Sequence, residues 1–282
     1  MTDNGYAKAV LVTTDWLAEH LSDSNVVLAE VDENPDLYDE SHIPGAVKLH
    51  WREDLQDPVE RDLVEKDEFE RLMGRRGIGN ETTLVVYGDK NNWFAAYAYW
   101  YLKIYGHQDV RLLDGGRQKW IDEGRELTTD EPVLSATAYT AQDRDENIRA
   151  RRDAVLANLG KDGIALVDVR SPQEYSGELM APPGYEQEGA SRTGHIPGAQ
   201  SIPWAQAVRD DGTFKGADEL RELYGGKDVT PDKEVRAYCR IGERSAHTWF
   251  VLRELLGYEN VKNYDGSWTE YGSLVGAPVE KG

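Results

Sequence analysis

The sequence predicts an α/β protein built from two tandem domains, each a mainly parallel sheet flanked by helices. Short apolar segments of strand length alternate with segments of helical periodicity, and this alternation is typical of a parallel sheet covered on both faces. The same order of segments occurs twice in 282 residues, at an offset of about 150 positions. A repeat of that length indicates duplicated domains, because the units of solenoid proteins are far shorter.

The repeat is clearest in one short motif. The pentapeptide His-Ile-Pro-Gly-Ala begins at His42 and again at His195, and a tryptophan follows each copy at similar spacing. We expect both histidines to be structural, since one of them lies in the copy that has no nucleophile. The second copy has an insert within residues 176–193, where glycine, proline and glutamate predict a long loop.

The two copies are predicted to contain the same elements in the same order. The predicted strands are residues 26–31, 83–87 and 110–113 in the first copy, and 164–169, 235–238 and 261–264 in the second. The main predicted helices are residues 93–105, whose aromatic stripe is expected to be core, and about 244–256. The first domain is therefore placed at 1–129 and the second at 148–282, with a polar, extended linker at 130–147.

Composition excludes several classes of partner. The net charge is −20, and an acidic surface repels nucleic acid and anionic membranes. No segment is apolar over the length of a membrane span, and the first residues lack the basic start of a secretory signal. The single cysteine excludes an internal disulfide, and the six histidines show no metal-ligand spacing. We expect a cytoplasmic protein without metal, cofactor, nucleic acid or membrane partner, and no oligomeric state is predicted.

Cys239 is the candidate nucleophile. It ends an apolar segment, and the loop Cys-Arg-Ile-Gly-Glu-Arg-Ser runs from it to Ser245 and into a helical pattern. Unpaired N–H groups at a helix start, together with Arg240 and Arg244, are expected to favour the thiolate. The alternative is a buried core cysteine, the commonest fate of a lone cysteine. The matching position in the first copy is Gly88, so only the second copy is expected to be reactive.

The length of this loop discriminates between two chemistries of cysteine. Phosphatases of the protein tyrosine class place five residues between a His-Cys pair and the loop arginine. Here four residues separate Cys239 from Arg244, and Tyr238 precedes the cysteine. A smaller ring of amides suits a sulfur atom bound to Cys239 better than a phosphoryl group. The count favours sulfur transfer, and phosphatase or arsenate reductase chemistry is a remote alternative.

Two longer motifs give the chain a resemblance to a known family. One begins at Tyr38 and contains the first His-Ile-Pro-Gly-Ala, and the other runs from Val261 to Tyr271 as Val-Lys-Asn-Tyr-Asp-Gly-Ser-Trp-Thr-Glu-Tyr. With the duplicated pattern around them, the chain resembles the tandem-domain rhodaneses, the thiosulfate sulfurtransferase family, over essentially its whole length. The resemblance implies two rhodanese-like domains, the second of them catalytic. It also implies that Cys239 takes a sulfane sulfur from thiosulfate, releases sulfite and passes the sulfur to cyanide or another thiophilic acceptor.

The loop and the resemblance together define a set of candidate substrate-binding residues. Arg240 is the better candidate for holding the anionic end of the donor, and Arg244 is equally suited to a structural role. Backbone amides of the loop are expected to stabilise the persulfide. The resemblance adds an aromatic wall around the sulfur. The further candidates are Ile241, Gly242, Glu243 and Ser245 in the loop, and Trp204, Trp93 and Phe94 in the wall. Asp168 and Arg170 are expected to form a structural ion pair.

The chain departs from the family pattern at two positions. Ile241 stands where familiar thiosulfate enzymes often have a lysine, and Glu174 stands where their second domain supplies an arginine. Mercaptopyruvate sulfurtransferases usually have small residues directly after the cysteine, so Arg240 favours thiosulfate as the donor. Two alternatives stay open: 3-mercaptopyruvate as the donor, and a non-catalytic rhodanese-like module that binds or carries sulfur.

Overall fold

The computed structural model describes residues 4–282, apart from the side chain of Gln187. The chain divides into two compact units, and both are discontinuous in sequence. The first unit comprises Ala9–Asp145 and Val208–Phe214, and the second comprises residues 4–8, Glu146–Ala207 and Lys215–Gly282. Most of the predicted linker thus belongs to the first unit, and the predicted domain boundaries stay a proposal.

Each unit contains one five-stranded sheet in which all neighbouring strands are parallel. The strands are β1 (Leu11–Val12), β2 (Val26–Glu30), β3 (Val47–Lys48), β4 (Thr83–Tyr87) and β5 (Val110–Leu113) in the first unit, and β6 (Arg149–Ala150), β7 (Ile164–Asp168), β8 (Gln200–Ser201), β9 (Glu234–Tyr238) and β10 (Val261–Tyr264) in the second. Their order is β1-β5-β4-β2-β3 in one sheet and β6-β10-β9-β7-β8 in the other. The same topology is built twice, and the predicted fold class is confirmed.

Helices connect the strands, because parallel neighbours cannot be joined by a tight turn. They are α1 (Thr14–His20), α2 (Asp36–Glu40), α3 (Lys66–Arg75), α4 (Asp89–Ile104), α5 (Gly116–Asp122), α6 (Arg152–Ala157), α7 (Pro172–Ser176), α8 (Ala217–Gly225), α9 (Glu243–Trp249) and α10 (Ser267–Tyr271). Short 3₁₀ turns lie at Glu146–Ile148, Glu186–Glu188 and Trp204–Ala207. None of the helices described in residues 4–282 is long and apolar enough to cross a membrane.

The helix predicted at about 244–256 is not one regular α-helix. It begins as α9 at Glu243 and continues from Phe250 to Leu255 as a π-helical stretch. A π-helical stretch is wider than an α-helix and is often found next to functional sites. This one directly follows the helix that the cysteine loop enters.

The helix predicted at 93–105 is the regular part of α4. The three residues before Trp93 have left-handed backbone angles, with φ of 44°, 57° and 64° for Lys90, Asn91 and Asn92. The predicted aromatic stripe is buried, and Phe94 and Tyr97 are each 1% exposed. The stripe forms core of the first unit.

The repeated His-Ile-Pro-Gly-Ala motif makes the same contact in both units. The ring of His42 stacks on Tyr38 with centroids 3.9 Å apart, and the ring of His195 stacks on Tyr175 at 3.6 Å. In each pair the histidine Nδ1 also lies within hydrogen-bond distance of that tyrosine's carbonyl oxygen, at 2.8 and 2.9 Å. These contacts tie the motif to its own unit.

Candidate active site

Cys239 lies at the carboxyl end of β9, where the crevice of a parallel sheet is expected. It follows the last residue of β9, and β9 is flanked in the sheet by β10 and β7. Its side chain is 0% exposed. The Cys239 N–H donates a hydrogen bond of 3.0 Å to Oγ of Ser267, which follows β10. The neighbouring strand connection therefore holds the base of the loop.

Two backbone N–H groups of the loop act on the sulfur of Cys239. The Gly242 N–H donates to Sγ of Cys239 at 3.1 Å, and the backbone N–H of Ser245 lowers the pKa of the same thiol. Gly242 has a φ of 98°, and a Cβ atom there would lie 2.8 Å from the carbonyl oxygen of Asp265. Only glycine fits this position, because the backbone is left-handed and closely approached. The loop thus holds the sulfur by a backbone N–H at its middle residue, Gly242.

Asn263 holds the loop through two hydrogen bonds, and it was not among the residues predicted from the sequence. Its Nδ2 donates to the Gly242 carbonyl oxygen at 2.9 Å, and its Oδ1 accepts the Ser245 hydroxyl at 2.6 Å. Asn263 is 0% exposed within β10. The available signal was a polar residue two positions after Val261, on the same face of a short strand, since a buried amide needs partners.

The carboxylate of Glu243 is a further partner of the sulfur. Sγ of Cys239 donates to Glu243 Oε2 at 3.2 Å, and the Ile241 N–H donates to the same oxygen at 3.2 Å. The other oxygen, Oε1, accepts a bond of 3.3 Å from Nη2 of Arg240. Glu243 is 1% exposed. Its carboxylate therefore folds back into the loop, where it occupies the Ile241 amide that was expected to bind substrate.

This geometry overturns the expectation that the loop favours the thiolate. Burial raises the pKa of the Cys239 thiol, and the charge and hydrogen bond of Glu243 raise it further. The charge of Arg244 and the N–H of Ser245 lower the pKa without outweighing these effects. At rest, Cys239 is therefore a thiol that donates a hydrogen bond to the Glu243 carboxylate.

Arg240 lies between two carboxylates and an aromatic ring. Its Nη2 lies 2.9 Å from Oε2 of Glu188 and 3.3 Å from Oε1 of Glu243. Its guanidinium carbon lies 4.3 Å from the centroid of the Tyr185 ring, a cation–π distance. Arg240 is 3% exposed, and its Nε and Nη1 make no hydrogen bond to any residue in 4–282. Two buried guanidinium nitrogens of this loop thus have N–H groups that no residue within 4–282 accepts.

The insert within 176–193 supplies these outer partners of Arg240. Tyr185 precedes the 3₁₀ turn of the insert, and Glu188 is the last residue of that turn. The Glu188 carbonyl oxygen accepts a hydrogen bond of 3.1 Å from the Thr269 hydroxyl. The sequence located the insert as a loop but gave no sign that it contacts the active-site loop. The pairing joins residues far apart along the chain, and no local pattern encodes it.

Arg244 is paired within the protein. Its Nη1 and Nη2 donate to the two oxygens of Glu174, each at 3.0 Å. Burial alone would raise the pKa of Glu174, but the bonds and charge of Arg244 outweigh it and the pKa is lowered. Glu174 also closes the capping box of α7 with Ser171. The departure from the family pattern at position 174 therefore places a partner for the loop arginine.

Asp168 and Arg170 form a buried ion pair at the end of β7. Arg170 Nη2 lies 2.6 Å from Asp168 Oδ2 and 2.7 Å from the carbonyl oxygen of Gly194. Asp168 Oδ2 also accepts the Tyr238 hydroxyl at 2.8 Å. The pair links β7 to the residue that precedes the cysteine.

The three aromatic candidates lie in different units. Trp204 belongs to the second unit and packs edge-on against His247 of α9, with centroids 5.1 Å apart. Trp93 and Phe94 belong to the first unit, where Phe94 packs on Trp51 at 4.6 Å. The aromatic wall around the sulfur stays a prediction.

The corresponding loop of the first unit has buried carboxyl groups in place of a nucleophile. Gly88 occupies the position of the cysteine, and the Asp89 N–H donates to Oδ1 of Asp32 at 2.7 Å. Burial, followed by the charge of Glu30, raises the pKa of Asp32 to about 9. Burial raises the pKa of Asp89 to about 6. Within residues 4–282, no cluster of His, Cys, Asp and Glu has the arrangement of a metal site.

A duplicated parallel α/β fold with one cysteine in an amide-lined loop defines a class of tandem-domain proteins. The sequence profile of the rhodanese-like domain matches this chain twice, at residues 13–123 and 152–274. The chain belongs to the rhodanese family.

Two relatives are similar over nearly the whole chain. A Saccharopolyspora erythraea protein provisionally named a thiosulfate sulfurtransferase is 59% identical over 271 residues, which cover 96% of each chain. The Sulfur carrier protein TtuD of Thermus thermophilus is 60% identical over 282 residues, which cover 99% of each chain.

Solved structures share the fold at lower identity. The crystal structure of YnjE aligns with a TM-score of 0.85 and 26% identity, covering 97% of this chain and 68% of that one. An anaerobic ergothioneine biosynthesis enzyme from Chlorobium limicola, in complex with trimethyl histidine, aligns with a TM-score of 0.83 and 25% identity, covering 97% and 70%.

Proposed function

We propose that the protein is a thiosulfate sulfurtransferase that works through a persulfide on Cys239. The cysteine takes the sulfane sulfur of thiosulfate, sulfite leaves, and the sulfur passes to cyanide or another thiophilic acceptor. The observation that carries this proposal is the hydrogen bond of 3.1 Å from the Gly242 N–H to Sγ, in a loop whose Ser245 N–H also lowers the thiol pKa. Such N–H groups stabilise charge on sulfur as an oxyanion hole does on oxygen.

Arg240 supports thiosulfate as the donor. Its Nε and Nη1 are buried and unused by residues 4–282, so they can donate to the sulfonate end of a bound thiosulfate. Arg244 is the weaker candidate for this contact, because Glu174 engages both of its terminal nitrogens. A cytosolic location suits the reaction, since Cys239 must stay reduced between turnovers.

A second candidate function is that of a sulfur carrier, which delivers its persulfide to another protein. The name of the Thermus thermophilus relative favours it. The chemistry at Cys239 is the same in both cases up to the persulfide. The two candidates differ in the acceptor, which is a small thiophile for the enzyme and a protein for the carrier.

Intact mass spectrometry after exposure to thiosulfate tests the proposal. We expect one added sulfur on the wild-type protein and none on Cys239→Ala or Cys239→Ser. Addition of cyanide should remove the sulfur and release thiocyanate over many turnovers. A persulfide that forms but resists cyanide favours the carrier, and 3-mercaptopyruvate as the better donor favours the mercaptopyruvate alternative. Absence of any added sulfur from either donor contradicts the proposed function.

A further inference from the structure

Glu243 is the one carboxylate within residues 4–282 that makes a hydrogen bond to Sγ of Cys239. The other charged groups around the loop are paired elsewhere. The pairs are Arg244 with Glu174, Arg149 with Asp265, Arg170 with Asp168, and Arg240 with Glu188 in addition to Glu243. The imidazole of His247 is neutral, because burial lowers its pKa to about 3.

A single proton lies on the line between Sγ of Cys239 and Oε2 of Glu243. The thiol donates to the carboxylate at 3.2 Å, and the Ile241 N–H donates to the same oxygen from the backbone. Transfer of the proton from sulfur to oxygen leaves the hydrogen bond in place with its direction reversed. No side chain has to move for this transfer.

Attack on a sulfur donor requires the thiolate, and this site opposes the thiolate as long as Glu243 is ionised. Burial disfavours a charge on Sγ, and a thiolate beside a carboxylate is repelled by it. When the proton passes to Glu243, however, the Cys239–Glu243 pair still carries one negative charge in total. Formation of the thiolate then adds no second negative charge to the buried site, so it meets neither the extra cost of burial nor the repulsion of an ionised carboxylate.

We propose that Glu243 is a catalytic residue that accepts the proton of the Cys239 thiol as the sulfur donor is attacked, and returns it when the sulfur is passed on. The proposal rests on the proposed function. In the first half-reaction the proton moves from Sγ to Oε2 and the sulfur electron pair bonds the outer sulfur of thiosulfate. The S–S bond of thiosulfate breaks, and its electron pair leaves with sulfite. The protein then holds a Cys239 persulfide anion and a neutral Glu243 carboxyl group.

The second half-reaction restores the starting state. Cyanide bonds to the terminal sulfur, the S–S bond of the persulfide breaks, and its electron pair returns to Sγ of Cys239. Sγ takes the proton back from Oε2 of Glu243, and thiocyanate leaves. In this half-reaction the neutral carboxyl group also lowers the negative charge that the approaching cyanide anion meets. Proton and charge both balance over the cycle without an added acid, base or redox partner.

The test is the pH dependence of a single turnover with thiosulfate, followed by intact mass from about pH 6 to about pH 9. In the wild type the internal acceptor keeps the rate nearly constant over this range. In Glu243→Gln, which retains an oxygen for the Ile241 N–H, the proton must go to water, so the rate should decrease as the pH is lowered. Because burial still disfavours the thiolate in this variant, we expect on the order of a hundredfold loss at the acid end, shrinking as pH rises. Glu243→Asp, which keeps the carboxylate, should retain the flat profile at a lower rate.

The controls separate this role from a structural one. Glu188→Gln removes a carboxylate from Arg240 without touching the sulfur, and its pH profile should have the wild-type shape. A loss in Glu243→Gln by one factor at every pH, or a gain at the acid end, overturns the proposal. Alkylation of Cys239 by iodoacetamide, measured over the same pH range, should show the same change of profile. This second measurement tests Glu243 even if thiosulfate proves not to be the donor, so the two proposals can fail separately.

Discussion

Glu174 and Arg244 form a closed ion pair behind the active-site loop, joined by two hydrogen bonds of 3.0 Å each. Both side chains are buried, at 1% and 4% exposed. The pair neutralises one of the two loop arginines, and Glu188 and Glu243 offset the other. The charge that the sequence offered to an anionic donor is therefore largely balanced within the protein.

Glu174→Gln should destabilise the second unit by about 3–5 kcal/mol, because it leaves the buried Arg244 guanidinium without its counter-charge. Urea unfolding measures the loss. Glu178→Gln is the matched control, since Glu178 is exposed in the same stretch of chain and should be nearly neutral. A loss below about 1 kcal/mol in Glu174→Gln, a value typical of exposed ion pairs, would show that the pair is not buried in solution.

Asp32→Asn should make the protein more resistant to unfolding at alkaline pH. The folded pKa of Asp32, about 9, lies above the ordinary value of 3.8 because of burial and the charge of Glu30. Stability from its bound proton is therefore complete below the ordinary value and is lost as pH rises toward the folded one. Asparagine keeps an oxygen for the Asp89 N–H and has no proton to lose.

Urea unfolding from about pH 5 to about pH 9 should accordingly give diverging free energies of unfolding. The wild type should lose up to about 1.4 kcal/mol of that free energy per pH unit relative to Asp32→Asn. The exposed Asp23→Asn serves as the control and should follow the wild type. Parallel curves for Asp32→Asn and wild type would mean that Asp32 is ionised in the folded protein.

Gly88→Cys should not create a second reactive thiol and should destabilise the first unit. A Cβ atom at Gly88 would lie 2.1 Å from the carbonyl oxygen of Val31, so the strand end must shift. We expect a cost of about 1–3 kcal/mol, typical of overpacking. Gly79→Ala is the control, since its nearest neighbour would be at an ordinary 3.6 Å. Thermal unfolding gives the cost, and a second added sulfur after thiosulfate treatment would contradict the prediction.

Arg240→Gly should shift donor preference from thiosulfate toward 3-mercaptopyruvate. Thiosulfate is a dianion and loses more than a monoanion when a cation is removed. A charged hydrogen bond contributes about 1.5–3 kcal/mol, so kcat/KM for thiosulfate should fall tenfold to a hundredfold. Kinetics with both donors at matched ionic strength measure the ratio.

Glu188→Gln tests the same contact with the opposite sign. The substitution removes the carboxylate that lies 2.9 Å from Arg240 Nη2. Less of the guanidinium charge is then balanced within the protein, so the KM for thiosulfate should decrease. An equal effect of Arg240→Gly on both donors, together with no effect of Glu188→Gln, would assign Arg240 to loop structure instead of donor choice.

The fold and the nucleophile could be predicted because both depend on local patterns. Strand lengths, helical periodicity and the repeated motif are properties of neighbouring residues, and they predicted three of the five strands in each sheet but not the two-residue strands β1, β3, β6 and β8. Cys239 could be predicted as the nucleophile because it lies after a predicted strand and before a predicted helix. The predicted strand limits differ from the observed ones by at most one residue, as at β7, which ends at Asp168.

The electrostatics of the site could not be predicted, because they depend on side-chain directions and distant pairs. Position alone does not tell whether Glu243 points to solvent or folds back onto the Ile241 N–H, and the second arrangement reverses the expected effect on the thiol. Arg240 meets Glu188, and Arg244 meets Glu174, across long stretches of sequence. Charge counted along a loop is therefore a poor guide to charge at the sulfur.

The discontinuity of the two units has a consequence for biosynthesis. In the second unit the Ala7 N–H donates to the Leu255 carbonyl oxygen at 2.8 Å, and Lys8 Nζ lies 2.8 Å from Glu254 Oε2. The segment with Ala7 and Lys8 leaves the ribosome long before its partners do. The first unit needs only the chain as far as Phe214, whose N–H donates to Asp114 at 2.9 Å. The unit with the cysteine thus closes after the first unit, and the nascent thiol stays open to solvent until the chain has been translated past Leu255.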